Sequence, residues 1–201
     1  EAERETIEVA GREISIEFDG AMVNSVVWVN GQQVAAHKDG YTPFSARLTG
    51  LLKDGDNLIT VKIDGSENPE IPPFGGQIDY LTYAGIYRDV WLKLTDAVSL
   101  AHLKVETAQE LAAAKSVRVT AFVANPTQAA FSGTALVELC NADGQVLRSA
   151  STTVSGAEFS VNLDELTGLQ VWTLESPQLY SVRVTLETSA GRDQISTRFG
   201  F

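Results

Sequence analysis

Apolar positions recur every second residue through most of the chain, in runs short enough for strands and bounded by turn residues. Arg12 to Phe18 alternates, placing Ile14, Ile16 and Phe18 on one face. Ser25 to Val29 is β-branched and carries Trp28. Asn30-Gly31 follows it directly, and Gln33 to His37 returns. Asn-Gly between two apolar runs predicts a tight hairpin, because both residues accept positive φ. Asn57 to Asp64 alternates through Leu58, Ile59, Val61 and Ile63, and Val90, Leu92 and Leu94 alternate with Trp91 and Lys93. The last pattern predicts a strand with one core face, and Trp28 and Trp91 are both expected in the core.

A second series begins near Val98. Val98 to Glu106, Ser116 to Ala124, Gly133 to Cys140, Gln145 to Thr153, Glu158 to Leu163, Tyr180 to Thr188 and Asp193 to Phe199 all read as strands. Asn141 to Gly144 and Ser189 to Arg192 read as hairpin turns between neighbours. Leu48 to Lys53 is compatible with one helical turn, and Thr107 to Lys115 with a loop or a single helical turn. Strands at this spacing predict an all-β chain of two antiparallel sandwiches, residues 1–96 and 97–201. The second part lacks the two cysteines of antibody domains. Trp172 is expected in its core or at a seam with a further domain.

Two stretches break the alternation. Gly65 to Gly76 holds Pro69, Pro72 and Pro73 and reads as a long loop. Asp79 to Leu92, DYLTYAGIYRDVWL, crowds an acid, three tyrosines, a tryptophan, a glycine and an Arg-Asp pair ahead of a strand. A carboxylate, tyrosine faces with polar tips and a guanidinium at a loop rim suit a polar ligand.

Composition removes other classes. The 201 residues carry 15 Lys+Arg against 26 Asp+Glu, a formal charge of −11, with no basic cluster, so nucleic-acid binding is not expected. No apolar run of about eighteen residues exists to span a membrane as a helix. The opening EAERETIEVA shows no basic start and no apolar core, so no signal peptide is visible, and with no initiating Met it reads as a trimmed start. Cys140 is the single cysteine and reads as a packed thiol, and His37 and His102 have no partners at a zinc spacing. Asp54-Gly55-Asp56-Asn57 lacks the ligands of a calcium loop and reads as a turn. Neither a Gly-x-Ser-x-Gly elbow nor a phosphate-cradling glycine loop occurs.

Several motifs together resemble glycoside hydrolase family 2, the family of β-galactosidases, β-glucuronidases and β-mannosidases. They are Phe18-Asp19-Gly20, Val27-Trp28-Val29-Asn30-Gly31, Gly40-Tyr41-Thr42-Pro43-Phe44, Ala84-Gly85-Ile86-Tyr87-Arg88-Asp89-Val90-Trp91-Leu92, the Trp172…Pro177-x-Leu179-Tyr180 segment and Arg198-Phe199-Gly200-Phe201. The resemblance implies a jelly roll, short at its N-terminal end, followed by an immunoglobulin-like sandwich. It also implies a retaining β-glycosidase of β-galactosidase type, whose two catalytic carboxylates come from a (β/α)₈ barrel beyond Phe201. This chain alone is then expected to be inactive, with the barrel of the same polypeptide and a carbohydrate as partners; a homo-oligomer is also admitted. The place of Asp79 matches an aspartate that in such β-galactosidases holds the sugar and a sodium ion. Asp79 is therefore the candidate substrate and metal contact, joined by Tyr80, Tyr83, Tyr87 and Arg88. The tyrosines line a sugar site or pack at an interface, and Arg88 pairs with Asp89 or faces the barrel. The chain requires no cofactor of its own; sodium or magnesium would belong to the intact enzyme. A stand-alone carbohydrate-binding module and a structural or adhesive sandwich are the competing readings.

Overall fold

The computed structural model describes residues 9, 11–71, 80 and 82–201. Among them there is no helix, so none is long and apolar enough to cross a membrane. The chain divides into two compact units, Glu1–Thr95 and Asp96–Phe201.

In the first unit the strands are β1 (Glu13–Phe18), β2 (Ala21–Met22), β3 (Asn24–Val29), β4 (Gln32–Lys38), β5 (Phe44–Arg47), β6 (Ile59–Asp64), β7 (Gly85–Ile86) and β8 (Val90–Thr95). They form antiparallel sheets of order β5-β1-β8 and β4-β3-β6, with β2 pairing β7. The alternation of β1 sends Ile14, Ile16 and Phe18 inward, where they meet Val27, Val29, Ala46 and Leu48. The Asn30-Gly31 turn has φ of 50° and 85° and brings Val29 opposite Gln32, the hairpin its sequence predicts. A three-ring stack runs outward from this core. Phe18 lies 4.8 Å from Phe44, and Phe44 lies 4.5 Å from His37 on its other side.

The second unit contains β9 (Ser99–Ala108), β10 (Ala114–Ala124), β11 (Gly133–Cys140), β12 (Val146–Val154), β13 (Glu158–Thr167), β14 (Tyr180–Thr188) and β15 (Gly191–Phe199). Two sheets, β13-β10-β9 and β12-β11-β14-β15, enclose a core built on Val117, Val119, Leu139, Leu163, Val182 and Val184. Cys140 is buried beside that core. Tyr180 opens β14 and receives the Gln170 N–H on its hydroxyl at 2.8 Å, tying an upstream loop to the sheet. This resembles the tyrosine corner of immunoglobulin sandwiches.

Several expectations change. Neither short segment makes a helical turn, and Thr107 to Lys115 takes the loop alternative between two strands. Leu48 to Lys53 is a non-helical turn closed by the Leu51 N–H on the Leu48 carbonyl, and Thr107 to Lys115 belongs to the β9–β10 hairpin. The hairpin wins because Ala114 and Lys115 gain ladder partners in β13, whereas an isolated turn of helix gains almost none. The last hairpin is tighter than four residues: Thr188 pairs Gly191 across Ser189-Ala190 alone. β13 runs on past Leu163 through a bulge that sets Asp164 and Glu165, the latter at a φ of 56°, opposite the single residue Ser116 before Leu166 turns inward again. On β8 the expected core face is half open, with Val90 and Leu92 exposed, because β8 is a sheet edge. Trp91 is 54% exposed and points away from the core. Trp28 is half-buried, and Trp172 is also largely exposed.

One ion pair gives the first unit an acid sensitivity. Glu13 accepts two hydrogen bonds from Arg47, at 2.8 and 2.9 Å, and one from Thr49. The Arg47 bond is the main cause holding the Glu13 carboxyl below its ordinary value of 4.5. A carboxylate depressed on folding contributes stability above its unfolded pKa, and that contribution is lost as pH falls through the folded value. Arg47→Ala is therefore expected to flatten the fall in stability below about pH 4.5, read by urea unfolding at stepped pH.

Candidate functional site

The first unit carries its polar and aromatic groups on one ordered segment and on the strand ends beside it. β7 is short, but it fixes the approach to Arg88. Ala21 pairs Ile86 and Met22 pairs Gly85, whose φ of 115° is open to glycine and strained for other residues. The chain then passes Tyr87 and Arg88 into β8. A Cβ on Gly20 would stand 3.0 Å from the Arg88 side chain and 3.1 Å from the Tyr87 ring, so a glycine here lets both lie close over the backbone.

Their partner is the turn at residues 39–42. Tyr87 donates its hydroxyl hydrogen to the Gly40 carbonyl. Arg88 Nη1 donates to the Tyr41 carbonyl at 3.1 Å and to the Asp19 carbonyl at 3.4 Å, while its guanidinium carbon lies 5.2 Å from the centre of the Tyr87 ring. Tyr41 donates its hydroxyl hydrogen to the Tyr80 oxygen at 3.2 Å. A Cβ on Gly40 would meet the end of the Met22 side chain, which would have to shift. Trp91 Nε1 donates to Asp19 Oδ2 at 2.9 Å, and Asp19 N–H donates to the Asp89 carbonyl.

Of the predicted site residues, Tyr80, Tyr87 and Arg88 converge on residues 39–41. Tyr83 projects into solvent, 73% exposed. Asp79 lies outside the described residues. Arg88 does not pair with Asp89. Its donors go to two main-chain carbonyls, which are fixed by the surrounding strands, whereas an adjacent exposed carboxylate offers a weak, solvated contact. Tyr41, Asp39 and Asp19 were not singled out as site residues. The Gly-Tyr-Thr-Pro-Phe motif was the signal available for Tyr41. The Phe18-Asp19-Gly20 motif marks Asp19 but not its partner, because its tie to Trp91 spans 72 positions.

The Tyr41 phenol is pushed up to about 12, first by its hydrogen bond to Tyr80, then by loss of water and by the neighbouring Tyr80, Tyr87 and Asp39. Tyr41 therefore stays a donor at neutral pH, and Tyr80, as acceptor, keeps its own proton free of Tyr41. The pair offers one hydroxyl donor and one acceptor at a half-exposed aromatic edge, the type of surface that binds polyhydroxyl ligands. Ile86, Val90, Trp91 and Leu92 are exposed as well, with Trp91 on the opposite face of β8 from Val90 and Leu92. In the second unit, the open groove along Val146–Ala150 and Asn162–Asp164 has no aromatic face.

The class defined here is a tandem of antiparallel sandwiches, a jelly roll and an immunoglobulin-like domain. Residues 4–96 match the model described as "Glycosyl hydrolases family 2, sugar binding domain", and residues 98–201 match a second model, "Glycosyl hydrolases family 2". The chain belongs to glycosyl hydrolase family 2. It is 54% identical over 154 residues to a β-galactosidase of Rhizobium meliloti, covering 77% of this chain and 20% of that protein. A β-galactosidase of Thermoanaerobacterium thermosulfurigenes is 33% identical over 194 residues, covering 94% and 27%. A β-glucuronidase of Bacteroides fragilis is 32% identical over 190 residues, covering 88% and 27%. The chain thus spans about a fifth to a quarter of these relatives' length. The crystal structure of a Bacteroides uniformis β-glucuronidase shares the fold, with a TM-score of 0.83 at 24% identity over 95% of this chain and 24% of that one.

Proposed function

We propose that this chain is the non-catalytic, sugar-facing portion of a longer retaining β-glycosidase of β-galactosidase type, and that it helps shape the sugar site of a (β/α)₈ barrel elsewhere in that polypeptide. The carrying observation is the convergence of Tyr80, Tyr87 and Arg88 on the Gly40-Tyr41 turn, within the unit matched by the family's sugar-binding model. The 54% identity to a β-galactosidase, against 32% to a β-glucuronidase, favours galactosides over glucuronides.

The carboxylates support inactivity of the chain by itself. A retaining glycosidase needs a nucleophile and an acid/base about 5–5.5 Å apart, the acid with a raised pKa. Among the described residues, Glu13, Asp64, Glu106 and Glu110 are held low by hydrogen bonds and cations. Such groups are already ionised at neutral pH and have no proton to give.

Asp79 is proposed as the carboxylate this unit lends to the sugar, and Tyr83, exposed on the same loop, as a further contact. The described residues give no support to a metal site: no group of three or more His, Cys, Asp or Glu side chains is placed to hold an ion. One carboxylate supplies one or two of the roughly six oxygens that a hard cation takes. A sodium or magnesium bound by Asp79 would need its other ligands from the longer polypeptide.

The purified chain is expected to show no turnover of an aryl β-galactoside; activity that co-purifies with it would overturn the reading. In the longer enzyme, Asp79→Ala is expected to lower kcat/KM by about 10- to 100-fold, the worth of one charge-assisted hydrogen bond. The exposed tyrosine edge favours a second reading, a binding module that works without a barrel. Saturable galactoside-induced chemical shifts in the chain alone, at ligand concentrations well below those needed by the longer enzyme, would favour it.

A further inference from the structure

The turn that carries Tyr41 is more tightly held than an exposed loop requires. Asp39 uses both carboxylate oxygens within it: Oδ1 accepts the Tyr41 N–H at 2.8 Å and Oδ2 accepts the Thr42 hydroxyl at 3.0 Å. His37 Nε2 lies 3.0 Å from the same Thr42 oxygen. The Thr42 hydroxyl has one hydrogen and gives it to a carboxylate, which only accepts. Its oxygen must therefore accept from His37, which fixes His37 with a proton on Nε2. His37 in turn lies on Phe44, and Phe44 on the core residue Phe18. Tyr41 is thus bonded at its N–H by Asp39, at its carbonyl by Arg88 and at its hydroxyl by Tyr80, while 37% of it remains exposed.

We propose that His37, Asp39 and Thr42 form a clasp that positions Tyr41, so that the Tyr41–Tyr80 phenol pair is set in place before a sugar arrives and recognises adjacent sugar hydroxyls. This rests on the sugar-facing reading given above and adds to it a ligand contact, Tyr41, and three positioning residues. The physical gain is preorganisation. A phenol that needs no reordering keeps the full value of its hydrogen bond to the ligand, whereas a mobile one first loses side-chain and loop entropy. The hydroxyl hydrogen of Tyr80, not used by Tyr41, and the oxygen of Tyr41 supply the donor and the acceptor that neighbouring hydroxyls require.

The test uses this chain with methyl β-galactoside as probe, in Thr42→Val, Thr42→Ser and Tyr41→Phe. Phenol ionisation is followed by absorbance near 295 nm, and sugar binding by chemical-shift titration. Tyr41→Phe is expected to remove the phenol that titrates near 12, which assigns that transition. Thr42→Val is expected to bring that transition down toward the ordinary tyrosine range and to weaken binding about 3- to 10-fold, the worth of one net hydrogen bond. Thr42→Ser keeps the hydroxyl and is expected to restore both. An unmoved phenol titration in Thr42→Val overturns the clasp, and a Thr42→Ser that rescues neither property overturns it too, because the methyl group rather than the hydroxyl would then be what matters. If the titration shifts as expected but wild-type chain shows no binding at all, the clasp stands as a positioning device for Tyr41. The sugar contact then fails, together with the recognition half of the proposal.

Discussion

Phe18→Ala is expected to destabilise the first unit by about 3–5 kcal/mol, the range for emptying an aromatic site in a closed core. Phe18 is 1% exposed and belongs to a small cluster with Ile14, Ile16, Val27, Val29, Ala46 and Leu48. A cluster of that size has few neighbours able to move into the gap, so the cavity term is paid nearly in full. The effect also reaches the candidate site. Phe18 is the inner end of the stack that continues through Phe44 to His37. Removing it takes away the ring on which Phe44 is stacked, and with it the support under His37. Thermal unfolding followed by near-ultraviolet circular dichroism reports both losses. Phe18→Leu, which keeps most of the volume, is expected to cost less than about half as much. Equal costs for the two variants would show that the site is not closely packed.

Tyr180→Ala is expected to have a similar effect on the second unit, about 3–5 kcal/mol, for two separable reasons. The ring is 5% exposed and lies edge-on to Phe201 at 5.7 Å and tilted to Phe199 at 6.2 Å, so truncation leaves a void among aromatics. The hydroxyl is the acceptor for the Gln170 N–H. Tyr180→Phe keeps the ring and removes only that acceptor, at an expected cost of about 1–2 kcal/mol. Denaturant midpoints for the two variants separate packing from the hydrogen bond. A Tyr180→Phe as damaging as Tyr180→Ala would assign the whole role to the hydroxyl.

What could be read in the sequence follows from the range over which the physics acts. β11 and β14 were bounded to the residue, because Gly133–Cys140 and Tyr180–Thr188 are regular ladders flanked by turn-forming residues. β13 was cut short at Leu163, because a bulge shifts the alternation and period-two reading stops there. β2 and β7 are two residues each, too short for any periodicity. Trp91 was placed in the core because a large aromatic in an alternating strand is usually buried. Which face of an edge strand is covered depends on what lies beside it, and its own sequence does not carry that information. The candidate site divides in the same way. Tyr80, Tyr87 and Arg88 were found because one dense stretch carries them. The role of Asp19 comes from a pairing 72 positions away, whereas Asp39 and Thr42 bond within their own turn, where an Asp or Thr reads first as ordinary turn chemistry.

Trp91 also makes the chain its own optical probe. Its indole is 54% exposed and its N–H is bonded to the Asp19 carboxylate, so its fluorescence will be emitted at long wavelength and will be open to collisional quenchers. Trp28 is half-buried and contributes a bluer component, while the exposed Trp172 adds a second long-wavelength one that a Trp172→Phe variant removes. Anything that comes to lie on the β8 edge, whether sugar, protein domain or second molecule, excludes water from Trp91 first. Its arrival can be timed by a blue shift and a loss of iodide quenching, with no label attached.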